Sequence, residues 1–167
     1  MKYLFYGALV LLVVPLQIAV FDRVSIGGIR PDLALVFVCL IGLKAGELDA
    51  IAVGILLGFS QDLFSGGLYW ENVWLKPLLG LMAALANRNL VNLTLRFAFM
   101  LLLALSIFSG SVMFLLKSFS GGGMDFLVVA RTVIVPQACY DAVLGLLGLA
   151  LYRAWIESPS PLRFDEL

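Results

Sequence analysis

Asp62, Lys76, Arg131, Gln137 and Asp141 are the side chains in this sequence with chemistry to offer, because each lies within or at the edge of an apolar stretch. Asp62 ends the run Gly54-Ile-Leu-Leu-Gly58-Phe-Ser-Gln61-Asp62, a carboxylate in an otherwise apolar helix. An unpaired charge costs about 2.5–3.5 kcal/mol at the centre of a membrane span, and less near a face. Such a group therefore needs a partner, and the roles open to it are proton relay, substrate contact or helix packing. At the helical rise, Asp62 lies roughly 21 Å from the side where its span begins, leaving about 9 Å to the far face of a ~30 Å core. Arg131 enters from that same face at a depth of about 8 Å, and Lys76 lies in the first turn of its own span. An Asp62–Arg131 or Asp62–Lys76 pair is expected to fix how this helix packs, Arg131 being the better match in depth. The plainer alternative is that Asp62 caps a helix or reaches the nearby interface. Gln137 and Asp141 are one turn apart and share a helix face. Asp141 lies about 15 Å along the axis from Arg131, too far for a pair within one helix. Packing or partner contact is the favoured role for these groups, ahead of transport or chemistry.

No catalytic constellation accompanies them. The chain has no histidine, which removes the commonest general base and the commonest metal ligand. Nor is there a serine–histidine arrangement, a paired acidic motif of an intramembrane protease, or a phosphate-cradling glycine loop after a strand. No catalytic residue, metal ligand or cofactor is expected. Cys39 and Cys139 both fall in apolar segments and read as buried small hydrophobes.

The elements that position these residues must be membrane helices. The chain is 62% hydrophobic and 13% charged, with a mean hydropathy of +1.06. Soluble domains carry about 25% charged residues, so a water-exposed surface cannot be built from this composition. Eleven basic and 11 acidic residues balance to zero, which implies no surface for nucleic acid. Six spans are expected, at residues 3–21, 31–46, 48–64, 73–87, 95–116 and 126–152, forming a single transmembrane domain over 1–167. The first is too long for a signal peptide's apolar core and reads as a retained span. The second and third form a tight hairpin around Lys44-Ala-Gly-Glu47. Turns follow at Ser65-Gly66-Gly67 and Ser120-Gly121-Gly122-Gly123.

Pro31 and Asp32 suit a helix's first turn, Asn72 suits the cap of the fourth helix, and Pro77 is early enough there to be tolerated. Pro136 predicts a kink in the last span. Gly42-x-x-x-Gly46, Gly54-x-x-x-Gly58 and Gly145-x-x-Gly148 are small-residue strips suited to close helix packing within the chain. Tyr69, Trp70 and Trp74 cluster where aromatics anchor at a membrane interface. With the N-terminus inside, Lys2, Lys44, Arg88, Arg96, Arg153 and Arg163 face the cytoplasm, against Arg23, Arg30, Lys76 and Lys117 outside. That excess favours both termini in the cytoplasm.

Arg30-Pro31-Asp32-Leu33, followed by Gly54-x-x-x-Gly58-x-x-x-Asp62-Leu63-Phe64-Ser65, resembles the MreD family of bacterial rod-shape-determining proteins. The resemblance implies an all-α integral membrane protein of the cytoplasmic (inner) membrane. It implies a compact bundle similar to the substrate-binding subunits of energy-coupling-factor transporters. It also implies a non-enzymatic scaffold of the cell-elongation machinery that binds the membrane-anchored protein MreC. Through MreC such a scaffold would help organise a peptidoglycan glycosyltransferase and transpeptidase, linked indirectly to actin-like MreB. Pro31, Asp32, Gly54, Gly58 and Asp62 carry over as partner-binding or helix-packing positions. The loop Gly66-Gly67-Leu68-Tyr69-Trp70-Glu71 departs from the family pattern through its aromatics and acid. The alternative reading is a substrate-binding subunit of a vitamin transporter, which requires Asp62, Arg131, Gln137 and Asp141 to converge on a pocket.

Overall fold

The computed structural model describes residues 28–65, 70–89, 94–119 and 125–157, and the regular structure among them is helical. Helix α1 spans Leu33–Ala45, α2 Glu47–Ser65, α3 Glu71–Asn89 and α4 Leu95–Phe119. The last, α5, runs through Phe126–Val129, a π-helical turn at Ala130–Ile134, and Val135–Glu157. Five of the six expected segments are thus helices at the expected places, while residues 3–21 lie outside the described residues. Among the described residues, two helices, α4 and α5, are long and apolar enough to cross a membrane, with mean hydropathies of 2.4 and 1.6. Helix α1 is a shorter apolar helix.

Helices α1 and α2 are separated by Gly46 alone, whose φ of 102° lies in the left-handed region where a Cβ is strained. A single glycine therefore makes the predicted hairpin. Helix α3 packs most widely against α2 and next against α1, while α5 packs on α4 and also meets α1. Leu35, Cys39, Leu79, Leu102, Leu105 and Ala142 belong to one buried cluster that joins α1, α3, α4 and α5. Val38, Val53 and Leu57 belong to a second cluster, shared by α1 and α2.

Small residues set the closest approaches. A Cβ on Gly42 of α1 would stand 2.5 Å from the Gly80 carbonyl of α3. One on Gly54 of α2 would stand 2.7 Å from the backbone of Pro77. These are backbone-to-backbone contacts, so no rotamer change relieves them.

Pro136 is preceded by the π turn, in which the Val135 N–H donates to the Ala130 carbonyl five residues back. A proline ring in a helix clashes with the carbonyl four residues before it, and a wider turn moves that carbonyl away. The irregularity expected at Pro136 therefore takes the form of an inserted π turn. The expectation for the cysteines holds for one of them. Cys39 is buried, but Cys139 is exposed, as are Val135 and Val143 one turn either side of it on α5. That face of α5 points away from the bundle.

Candidate functional site

The first turn of α1 gathers a polar network. Asp32 is the N-cap, not a member of the first turn, and its Oδ1 accepts from the Leu35 N–H at 3.0 Å. The same oxygen accepts from Gln61 Nε2 of α2 at 3.2 Å. Its other oxygen is paired with the Lys76 ammonium of α3. The backbone N–H of Asp32 donates to Asp141 Oδ1 of α5 at 2.7 Å. Asp141 Oδ2 in turn accepts from Ser106 Oγ of α4 at 2.6 Å. Each of the five described helices thus supplies one member: the Asp32 cap, Gln61, Lys76, Ser106 and Asp141. Lys76 and Asp141 are both 0% exposed.

A buried ion pair of this kind is weak evidence for stability, because desolvating two charges offsets much of their attraction. Its consequence is specificity. Lys76 has its charge satisfied only when α1 and α3 are in this register, and Asp141 has both oxygens bonded only when α5 meets both α1 and α4.

Asp62 holds a second junction. Its Oδ1 accepts from the Asn72 side-chain amide at 2.7 Å and from the Asn72 N–H at 3.2 Å. Its Oδ2 accepts from the Val73 N–H at 2.9 Å. The two backbone N–H groups are orphan donors of the first turn of α3, at the positive end of its dipole. The cap of α3 is therefore a carboxylate from the preceding helix. Asn72 does not cap the helix through its own side chain; it lies inside, one residue past Glu71. Trp70 turns the chain into α3 with a φ of 50°, uncommon for a residue with a side chain.

The motif Gly54-x-x-x-Gly58-x-x-x-Asp62 now has a physical meaning. Its three positions recur every four residues, so they stack on one face of α2. Gly54 meets the backbone of Lys76 and Pro77, Gly58 meets the backbone of Asn72, and Asp62 receives the N–H groups that Gly58 lets come near. The pair expected for Asp62 is corrected accordingly. Lys76 carries its ammonium to Asp32, and Arg131 is exposed on the π turn of α5. Lys76 lies two turns along the α2–α3 contact from Asp62, beside Gly54, and Arg131 is on the exposed face of α5.

Of the other expected positions, Pro31 is buried and Gln137 is half-buried one turn before Asp141. Gln137 lines a cavity together with Asp32 and Ser106. Gln61 and Ser106 were not foreseen as network members. The available signal was the pair Ser106 and Ser109, three residues apart on one face of an apolar helix. At the opposite end of the bundle, Asn87 donates to the Leu43 carbonyl at 2.9 Å and so closes the C-terminus of α1. Lys44 stands over the Tyr152 ring there, 5.0 Å from its centroid.

Comparison with protein families matches the chain to the family described as rod shape-determining protein MreD, over residues 1–153. The chain belongs to the MreD family. That membership makes it a membrane protein with a role in rod shape determination, and the apolar helices α4 and α5 accord with it. Of the residues that suggested MreD, Asp32, Gly54, Gly58 and Asp62 join α1, α2 and α3, and Pro31 is buried beside Asp32. Comparison with curated proteins and with solved structures finds no match.

Proposed function

We propose that this MreD-family chain is a non-enzymatic membrane scaffold of the bacterial cell-elongation machinery. It binds an MreC-type protein together with the peptidoglycan glycosyltransferase and transpeptidase, and through them is linked to MreB. It sits in the inner membrane as a single domain of six spans, residues 3–21 being the first, with both termini in the cytoplasm. The bundle is similar to that of energy-coupling-factor substrate-binding subunits. The family match over residues 1–153 carries this reading.

The internal use of the polar residues supports a scaffold over a transporter subunit. The transporter reading requires Asp62, Arg131, Gln137 and Asp141 to face one pocket. Instead Asp62 caps α3, Arg131 is exposed, and both oxygens of Asp141 are engaged. Partner contact then falls to outward-facing side chains such as Leu56, Phe59 and Leu63 of α2, all exposed.

Affinity purification in mild detergent tests the proposal. Specific co-recovery of an MreC-like protein and a cell-wall synthase is expected, and it should weaken when Phe59 and Leu63 are replaced by polar residues. Recovery of an ATP-hydrolysing transport module in their place would overturn it.

A further inference from the structure

The polar face shared by α4 and α5 is only partly closed. Ser106 and Asp141 bond to each other, but one turn along, Ser109 and Gln137 do not. Ser109 is 6% exposed, yet its hydroxyl makes no hydrogen bond among the described residues. Ser60, Ser111 and Thr132 all satisfy theirs on the carbonyl four residues back, at 2.8 Å. The Ser109 hydroxyl instead faces open space, where it can donate and accept. Both Ser109 and Gln137 line a cavity of about 520 Å³ bounded by α1, α4 and α5, within the ~300–1,000 Å³ common for small-molecule sites.

The walls define what fits. Leu35, Met113, Phe114, Val133 and Ile134 make them largely apolar. Asp32 and Ser106 lie at the floor, and Lys117 stands about 12 Å along α4 from Ser109. The charged groups of the lining are Asp32, which is paired with Lys76, and Lys117 at the far end. An anionic head beside Ser109 and Gln137 would meet the like charge of Asp32 with Lys117 out of reach. A hydroxyl both donates and accepts, which matches a serine hydroxyl and a carboxamide facing the same space.

We propose that this cavity binds a neutral, hydroxyl-bearing membrane amphiphile of the monoacylglycerol class. Its head hydrogen-bonds to Ser109 and Gln137, and its chain lies along Met113, Phe114 and Val133. Such a site gives the bundle a way to respond to membrane composition, because Asp32 on its lining is the residue whose N–H joins α1 to Asp141 of α5.

The test uses the full-length protein in lipid nanodiscs with a diazirine-bearing monoacylglycerol as probe. Saturable labelling is expected on peptides covering residues 109–118 and 129–137, with competition by unlabelled monoacylglycerol. Ser109→Ala and Gln137→Met should each weaken half-saturation by about 2–10-fold, the value of one hydrogen bond. Thermal unfolding of each variant identifies any loss due to misfolding, and Ser109→Thr, which keeps the hydroxyl, should retain binding. Labelling spread evenly over all outward-facing helix surfaces would overturn the site. Equal labelling of wild type and both folded variants would do the same. Stronger competition by phosphatidylglycerol or by an alkyltrimethylammonium than by monoacylglycerol would overturn the assigned class.

Discussion

The backbone N–H of Asp32 donates to the carboxylate of Asp141 at 2.7 Å, across 109 residues of sequence. A main-chain group at a helix N-terminus is thereby satisfied by a side chain of the last helix. Because the Asp32 side chain simultaneously caps α1, accepts from Gln61 and holds Lys76, one residue ties α1 to α2, α3 and α5.

Breaking the Asp32–Lys76 pair from one side should be severe. Asp32→Ala leaves the wholly buried Lys76 ammonium without its carboxylate, and a loss of about 3–5 kcal/mol is expected. Lys76→Met combined with Asp32→Asn should cost clearly less than the sum of the single changes, since no uncompensated charge remains. Denaturant unfolding in detergent micelles measures both, and strict additivity would refute the coupling.

Glycine substitutions should rank by what the new methyl group meets. Alanine at Gly54 or Gly58 meets the α3 backbone, so about 1–3 kcal/mol of overpacking is expected. Alanine at Gly145 meets only the tip of the Leu102 side chain, which can rotate aside, and should cost less. Melting temperatures of the three variants, compared in one detergent, check the order.

Asp62→Ala removes the acceptor for three donors at the start of α3, and a loss of about 1–2 kcal/mol is expected. Asp62→Asn keeps one oxygen acceptor and should lose less. Arg131→Ala, at an exposed position, should stay within about 0.5 kcal/mol of wild type. The Asp62→Ala/Arg131→Ala double variant should be additive; a coupling energy above ~0.5 kcal/mol would restore the direct pair that the structure replaces.

The two thiols should differ in reactivity. An apolar maleimide applied to the folded protein in detergent should modify the exposed Cys139 and spare the buried Cys39. Mass spectrometry of the two peptides, before and after unfolding, reads the difference. Modification of Cys39 in the folded state would contradict the packing of α1.

Much of the architecture was legible because it depends on local properties. Apolar length and turn residues mark helices to within a few positions: the stretch expected at 95–116 is Leu95–Phe119, and that at 48–64 is Glu47–Ser65. Glycine spacing was legible too, since four-residue recurrence places Gly54, Gly58 and Asp62 on one face whatever that face meets. The pairing of Asp62 was not. Helical rise gives depth, but which residue at that depth lies opposite depends on the rotation of each helix about its axis.

By itself, then, the sequence determined that this is a helical membrane chain, where the described helices lie, and which of its positions are too small or too polar to face lipid by chance. Composition and periodicity suffice for this, because they act residue by residue. Only the tertiary structure decided that Lys76 belongs to Asp32, that Asp62 caps α3, and that Asp141 reaches back to the start of α1. Those partners are distant in sequence and are selected by how five helices rotate and cross, a collective outcome of packing that no local pattern encodes.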